Sequence, residues 1–180
     1  VVAGVAVTVT DAATVGQLAG IDAANGGGAL SYTSVSDTAS ALAADASTNS
    51  GSGTYVSGAV NVTFTTSPSV ADLLAVDGAV GGTLAYTSIT DSASNLFPGG
   101  VVSPYVLNGV GVIVTDAATV AQLDALRTAS GLNPIYGSIT DSVGNLLAAN
   151  VPVNWVAAGK HITVTDAVSV AQLSAIDAAN

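Results

Sequence analysis

The carboxylates are the residues with the most obvious chemistry. All twelve acidic side chains are aspartate, and one polar index recurs along the chain at Asp11, Asp37, Thr66, Asp91, Asp116, Asp141 and Asp166. Two chemistries suit such a series. An Asp at a helix start accepts the free N–H groups two or three residues on and complements the positive helix end. Aligned carboxylates also offer hard oxygens to Ca²⁺. The GGxGxDxUx nonapeptide that marks a calcium-binding coil is missing, so helix N-capping is expected of all seven positions. No cofactor is expected beyond weak surface calcium, and no metal ligand set is singled out. Tyr55, Tyr105 and Trp155 share a second index, and Tyr32, Tyr86 and Tyr136 a third. Aromatic columns can stack on sugar rings or pack the corners of a repeat; packing is expected, with glycan binding as the rival. The pairs Thr8/Thr10, Thr63/Thr65 and Thr163/Thr165 suggest a flat, water-ordering threonine face. Ile113 breaks that face in the third copy, which favours an ordinary solvent-facing strand.

Catalysis finds little to work with. His161 is the sole imidazole, and its index is filled by Ala6, Asn61 and Gly111 in the other copies. An activated nucleophile needs a positioned base and an orienting partner, and no local constellation supplies them. Paired-carboxylate chemistry has no Glu, and Asp22, Asp77 and Asp177 read as exposed helix positions. The Gly26–Gly28 run is neither GxGxxG nor GxxxxGK, so it reads as a helix terminator and turn.

Composition narrows the classes further. Of the 180 residues, 8% are charged, against roughly 25% in ordinary domains. Only Arg127 and Lys160 oppose the acids, and the net charge of −10 repels phosphate backbones and anionic lipid. Nucleic acid is therefore not an expected partner. Polar residues interrupt every apolar run well short of the roughly 18 residues a membrane span requires, so no membrane insertion is expected. With no Cys there is no disulfide, no thiolate nucleophile and no Cys-based metal site.

The elements that must position these columns come from an internal repeat. Unit A is VTVTDAATVGQLAGIDAAN (7–25), returning as VTFTTSPSVADLLAVDGAV (62–80), VIVTDAATVAQLDALRTAS (112–130) and ITVTDAVSVAQLSAIDAAN (162–180). Unit B is LSYTSVSDTASAL (30–42), LAYTSITDSASNL (84–96) and IYGSITDSVGNLL (135–147). The A units run over about 5–29, 57–81, 107–131 and 157–180, and the B units over about 30–56, 82–106 and 132–156. The elementary period is about 25 residues, with an inserted, protruding Gly/Ser loop at 45–54. Each unit reads as strand, turn, helix. Val62 and Phe64 alternate with Thr63 and Thr65, the period of a half-buried strand. Val15, Leu18 and Ile21, with their equivalents Val70, Leu73 and Val76, then Val120, Leu123 and Leu126, and finally Val170, Leu173 and Ile176, form a helical stripe. In the second A unit Thr66 or Ser67 is expected to cap, with Pro68 in the first helical turn. Gly26, Gly81 and Gly131 are expected to end the A helices, while the B helices should make about two turns.

One such unit cannot close a core, whereas stacked neighbours can. The expected fold is an α/β repeat, a strand-helix solenoid of about seven 25-residue coils with a parallel sheet, forming a single array over residues 1–180. An antiparallel or doubly wound α/β sheet is the alternative.

At VTVTDAATVGQLAGIDAAN, ALSYTSVSDTASAL and ITVTDAVSVAQLSAIDAAN the chain resembles Ala/Thr/Asp-rich repeats of very large secreted or cell-surface proteins of cyanobacteria and other aquatic bacteria, which accompany hemolysin-type (RTX) calcium-binding segments. The resemblance covers nearly the whole chain. It implies an adhesin, a surface-layer component or an extracellular filament, and hence a structural role. Beginning at Val1, the sequence reads as a processed or excised segment, and an extracellular or cell-surface location is expected. Neither VVAGVAVTVT at the start nor the A helix at the end carries a polar cap. The expectation is a non-enzymatic protein that polymerises through its chain ends, with an adhesin or glycan-binding segment, possibly calcium-dependent, as the alternative.

Overall fold

The computed structural model describes residues Val1–Asn180 as a mixed α/β protein with several small parallel sheets, seven α-helices and no closed barrel. The chain divides into two compact units, Val1–Ser88 and Ile89–Asn180. No helix is long and apolar enough to cross a membrane.

In the first unit the elements follow the repeat: β1 (Val7–Thr8), α1 (Val15–Asn25), β2 (Leu30–Ser31), β3 (Ser34–Asp37), α2 (Ala39–Ala46), β4 (Asn61–Phe64), α3 (Val70–Ala79) and β5 (Leu84–Ala85). Strands separated by a helix pair in parallel. Val7 lies beside Leu30, Val35 beside Val62, and Val62 beside Leu84. The alternation in β4 is real: Val62 and Phe64 are buried while Asn61 and Thr63 face solvent. Leu18, Val35, Leu42, Leu73 and Val76 are fully buried; each contributes about 1.5–3 kcal/mol relative to an exposed side chain.

The second unit takes in β6 (Ser88–Asp91), which starts at the boundary, then α4 (Ala93–Leu96), a 3₁₀ turn at Pro98–Gly100, β7 (Gly111–Val114), β8 (Ala117–Ala118), α5 (Val120–Ser130) and β9 (Ser138–Asp141). It closes with α6 (Val143–Leu146), β10 (Leu147–Ala148), β11 (Val151–Pro152), β12 (His161–Val164) and α7 (Val170–Ala179). β6 pairs with β7. Ala118 lies beside Ile139, and Ile139 beside Ile162, again in parallel. A small antiparallel hairpin, β10–β11, lies within the last B unit. Ile89, Leu96, Leu123, Leu126, Ile139 and Leu146 are fully buried.

Helix boundaries differ from the sequence expectation in an instructive way. The N-caps are Thr14, Thr38, Ser69, Ser92, Thr119, Ser142 and Ser169, not the seven indexed positions Asp11, Asp37, Thr66, Asp91, Asp116, Asp141 and Asp166. In the A units the backbone stays extended past the Asp, because it is still pairing: Ala13 bridges Val35, and Ala117–Ala118 run alongside Ser138–Ile139. The helix then opens on a reciprocal capping box, Thr14–Gln17, Ser69–Asp72, Thr119–Gln122 and Ser169–Gln172. Pro68 consequently precedes the cap Ser69 and is not in the first turn. At the other end Gly26 and Gly131 are left-handed caps, with φ of 57° and 72°. Gly81 is not a cap: α3 ends on extended Val80, held there by a parallel bridge to Gly58. The inserted loop begins later than position 45, since Asp45 and Ala46 complete α2.

Candidate functional site

The indexed column is a bonding device between successive repeats. Asp37, Thr66, Asp116, Asp141 and Asp166 each accept a hydrogen bond from the first amide of the helix in the preceding repeat. The Val15 N–H donates to Asp37 Oδ2 at 3.1 Å, Ala39 N–H to Thr66 Oγ1 at 2.9 Å, and Ala93 N–H to Asp116 Oδ1 at 2.6 Å. Val120 N–H donates to Asp141 Oδ2 at 2.9 Å and Val143 N–H to Asp166 Oδ1 at 2.7 Å. The carboxylate thus meets a helix N-terminus, as capping chemistry requires, but the helix belongs to the neighbour some 21 to 27 residues back. In the B units the second oxygen secures the local turn. Asp37, Asp91 and Asp141 each accept from the N–H of the next residue at 2.8 Å. Asp91 and Asp141 also accept from Asn95 and Asn145 Nδ2, at 2.8 and 2.6 Å. No protein group bonds to the exposed side chain of Asp11, the first member of the column.

No three His, Cys, Asp or Glu side chains converge where a metal ion could sit. The column carboxylates point at amides, and each finds its donors one by one down the chain. His161 is exposed on β12, its backbone N–H bonded to the Gly137 carbonyl.

The aromatic columns are packed and bonded. Trp155 is 7% exposed, meets Tyr136 edge-to-face at 5.8 Å, and lies under the Arg127 guanidinium at 5.2 Å. Its Nε1 donates to Asp124 Oδ1 at 3.0 Å, the oxygen that also receives Arg127 at 2.9 Å. The other cation, Lys160, sits 4.5 Å above the Tyr136 ring and donates to the Tyr136 carbonyl at 2.8 Å. In the first unit the Tyr32 hydroxyl donates to the Tyr55 carbonyl at 2.9 Å, and the Tyr136 hydroxyl makes the matching bond to Trp155. The Tyr55 hydroxyl in turn donates to Asp22 Oδ2 on α1 at 3.2 Å. Tyr86 packs edge-to-face on Phe64. Burial pushes the Tyr32, Tyr55 and Tyr136 phenols above 10.0; for Tyr32 the nearby Asp45, Tyr55 and Asp22 add to it, and for Tyr55 its bond to Asp22 does. A sugar platform needs an open ring face, and Trp155 does not present one. Tyr105, at the same index, is half-buried.

Three arrangements escape sequence reasoning. Asp45, buried at the end of α2, accepts three successive amides with one oxygen: Thr54 at 3.2 Å, Tyr55 at 2.8 Å and Val56 at 2.7 Å. It ties down the inserted loop. Gly53 makes that closure possible, because its φ is +67° and a Cβ there would lie 2.0 Å from the Val56 carbonyl oxygen. The placing of both cations on aromatic rings leaves no spacing signature, since the partners lie on different repeats. Asn25, fully buried, has neither amide atom paired.

No protein-family model, no curated protein sequence and no solved structure matches the chain.

Proposed function

We propose that this is a non-enzymatic structural repeat protein whose seven strand-helix coils stack as a solenoid and whose copies join end to end into a filament or surface coat. The observation that carries the reading is the bonding between successive repeats: Asp37, Thr66, Asp116, Asp141 and Asp166 each accept the first helical amide of the repeat before, and Leu18, Leu73 and Leu123, at one helical index, are all 0% exposed. The engagement of the column carboxylates and of Trp155 in structural bonds also supports a scaffold over a catalyst or a glycan receptor. An extracellular setting is part of the same proposal and rests on the resemblance read in the repeat sequences alone.

Sedimentation velocity and negative-stain electron microscopy of the 180-residue chain test the reading. Because each chain carries −10, repulsion must be screened, which about 0.15 M salt does beyond roughly 8 Å. Concentration-dependent linear oligomers are expected. Discrete monomers at millimolar concentration would overturn the reading.

A further inference from the structure

We propose that Asn108–Gly109 is a self-modification site, at which the folded protein converts Asn108 into aspartate and isoaspartate and so releases the end of helix α5. The chemistry needs only an Asn followed by a Gly. The Gly109 amide nitrogen gives up its proton to water and bonds to Asn108 Cγ, closing a succinimide ring, while the side-chain nitrogen takes up a proton and leaves as ammonia. Water then adds across one of the imide C–N bonds. Opening on one side gives aspartate. Opening on the other gives isoaspartate, in which the main chain runs through the side-chain carbons and is longer by one methylene. No oxidant, reductant or cofactor enters. Glycine suits the attacking position because it has no Cβ to crowd the approach.

The chain has two Asn–Gly steps, 25–26 and 108–109, and the fold separates them. Asn25 is 0% exposed in the last turn of α1. Asn108 is exposed, outside any helix or strand, in a turn that the Val110 N–H closes on the Leu107 carbonyl at 3.1 Å. Its side-chain amide has no hydrogen-bond partner in the protein. Gly109 has a φ of 84°, as the third position of such a turn demands, and nothing lies within 4 Å of where its Cβ would be. The glycine is required by the repeat: Gly4, Gly58, Gly109 and Gly159 are all left-handed, and each donates its N–H to a carbonyl at the end of the helix that follows it. The residues ahead of the other three are Ala3, Ser57 and Ala158, so only the third A unit sets a side-chain amide beside this glycine. The reaction consumes the N–H that Gly109 donates to the Ser130 carbonyl at 2.8 Å. Isoaspartate returns an N–H displaced by the added methylene, and the new carboxylate stands near the negative end of α5, where Asn108 Oδ1 lies against Gly131.

The test has two arms on the full chain. In the first, the protein is aged at mildly alkaline pH, with circular dichroism confirming that it stays folded, and in parallel in concentrated urea. Peptide mapping by mass spectrometry follows conversion at Asn25 and Asn108 and separates aspartate from isoaspartate. In the folded chain Asn108 should convert roughly tenfold faster than Asn25 or more, because Asn25 waits on the opening of α1 and Asn108 only on a surface turn. In urea the two rates should converge. Equal rates in the folded chain, or no conversion at Asn108 where urea permits it, would overturn the site. In the second arm, the modified fraction is separated by its extra negative charge. It should unfold at lower urea than fresh protein, read by Trp155 fluorescence, and exchange the Gly131 amide hydrogen faster. Asn108→Ser, which puts at this index the residue that precedes Gly58, should keep its midpoint on ageing. An unchanged midpoint and unchanged exchange in the modified fraction, or an equal drift in Asn108→Ser, would overturn the release of α5.

Discussion

Replacing Asp141 probes the bond between repeats most directly. Asp141 is 7% exposed, and its carboxylate holds Ser142 N–H at 2.8 Å, Val120 N–H at 2.9 Å and Asn145 Nδ2 at 2.6 Å. Asp141→Ala strips all three. Hydrogen bonds to a charged acceptor contribute about 1.5–3 kcal/mol each, and they do not add fully. The Asn145 side chain is exposed and recovers its bond from water, so the loss falls on the two backbone amides. A net cost of about 3 kcal/mol follows. At a urea m-value of about 1.5 kcal/mol/M the midpoint should drop by about 2 M. Trp155 is the single tryptophan, is buried, and lies in the same compact unit, so its fluorescence reports this unfolding directly. Asp141→Thr should recover about half the loss, because a hydroxyl at this index is able to hold the preceding helix, as Thr66 does. Asp166→Ala loses only the exposed Val143 bond and should cost clearly less. A destabilisation below about 0.5 kcal/mol for Asp141→Ala, or equal losses at Asp141 and Asp166, would refute the reasoning.

Asp45→Ala should free the loop that follows α2, raising its cleavage by a nonspecific protease many-fold, because three amides lose their one acceptor; Gly53→Ala should do the same through its positive φ, and an uncut loop in both variants would show that other contacts close it. Asn25→Leu should stabilise the first unit by about 1 kcal/mol in urea unfolding, since it removes a buried amide with no partner; destabilisation would mean that the amide is in fact satisfied. The tyrosines set an alkaline limit. Their folded pKa values lie above 10.0, so their contribution is complete below pH 10.0 and is lost as pH rises from there through the raised folded values. Phenolate absorbance and circular dichroism should therefore change together above pH 10, with Tyr32→Phe softening the transition; ordinary titration at 10.0 with the fold intact would contradict it.

How far the sequence reaches depends on whether a signal is local. The alternation at Val62 and Phe64 and the stripe at Leu18, Leu73 and Leu123 are periodic within a few residues, and they correspond to a buried strand face and buried helix positions. Gly26 and Gly131 mark helix ends because the left-handed turn is local; Gly81 misleads because a pairing with Gly58, far back in the chain, keeps Val80 extended. The true N-caps were also legible, since Thr14–Gln17 and Thr119–Gln122 spell capping boxes. The Asp three residues upstream competes for the role in the sequence because carboxylates cap well. Its actual partner lies in another repeat, where no spacing rule points. The aromatic cluster divides in the same way: packing was foreseeable from the recurring ring positions, but the covering of Trp155 by Arg127 depends on a helix in the preceding A unit.

The column also supplies something the apolar residues cannot. The strands are two to four residues long, and short parallel strands hold their register weakly. A slip of one residue is strongly opposed, because it would turn Val62 and Phe64 outward and Thr63 inward. A slip of two restores the facing of every side chain, so Val-x-Val and Thr-x-Thr patterns scarcely distinguish it. The carboxylate does distinguish it. Moved by two residues, about 6.6 Å along the strand, Asp141 no longer reaches the Val120 amide, and the first amide of the helix loses its acceptor at a cost of about 0.5–1.5 kcal/mol for each neighbouring pair of repeats. This explains why Thr66 can stand in the column: the requirement is an oxygen at a fixed distance along the strand, and negative charge is secondary. It also explains why the position can be polar in a chain with so few charged residues, since register, unlike burial, needs a directional bond.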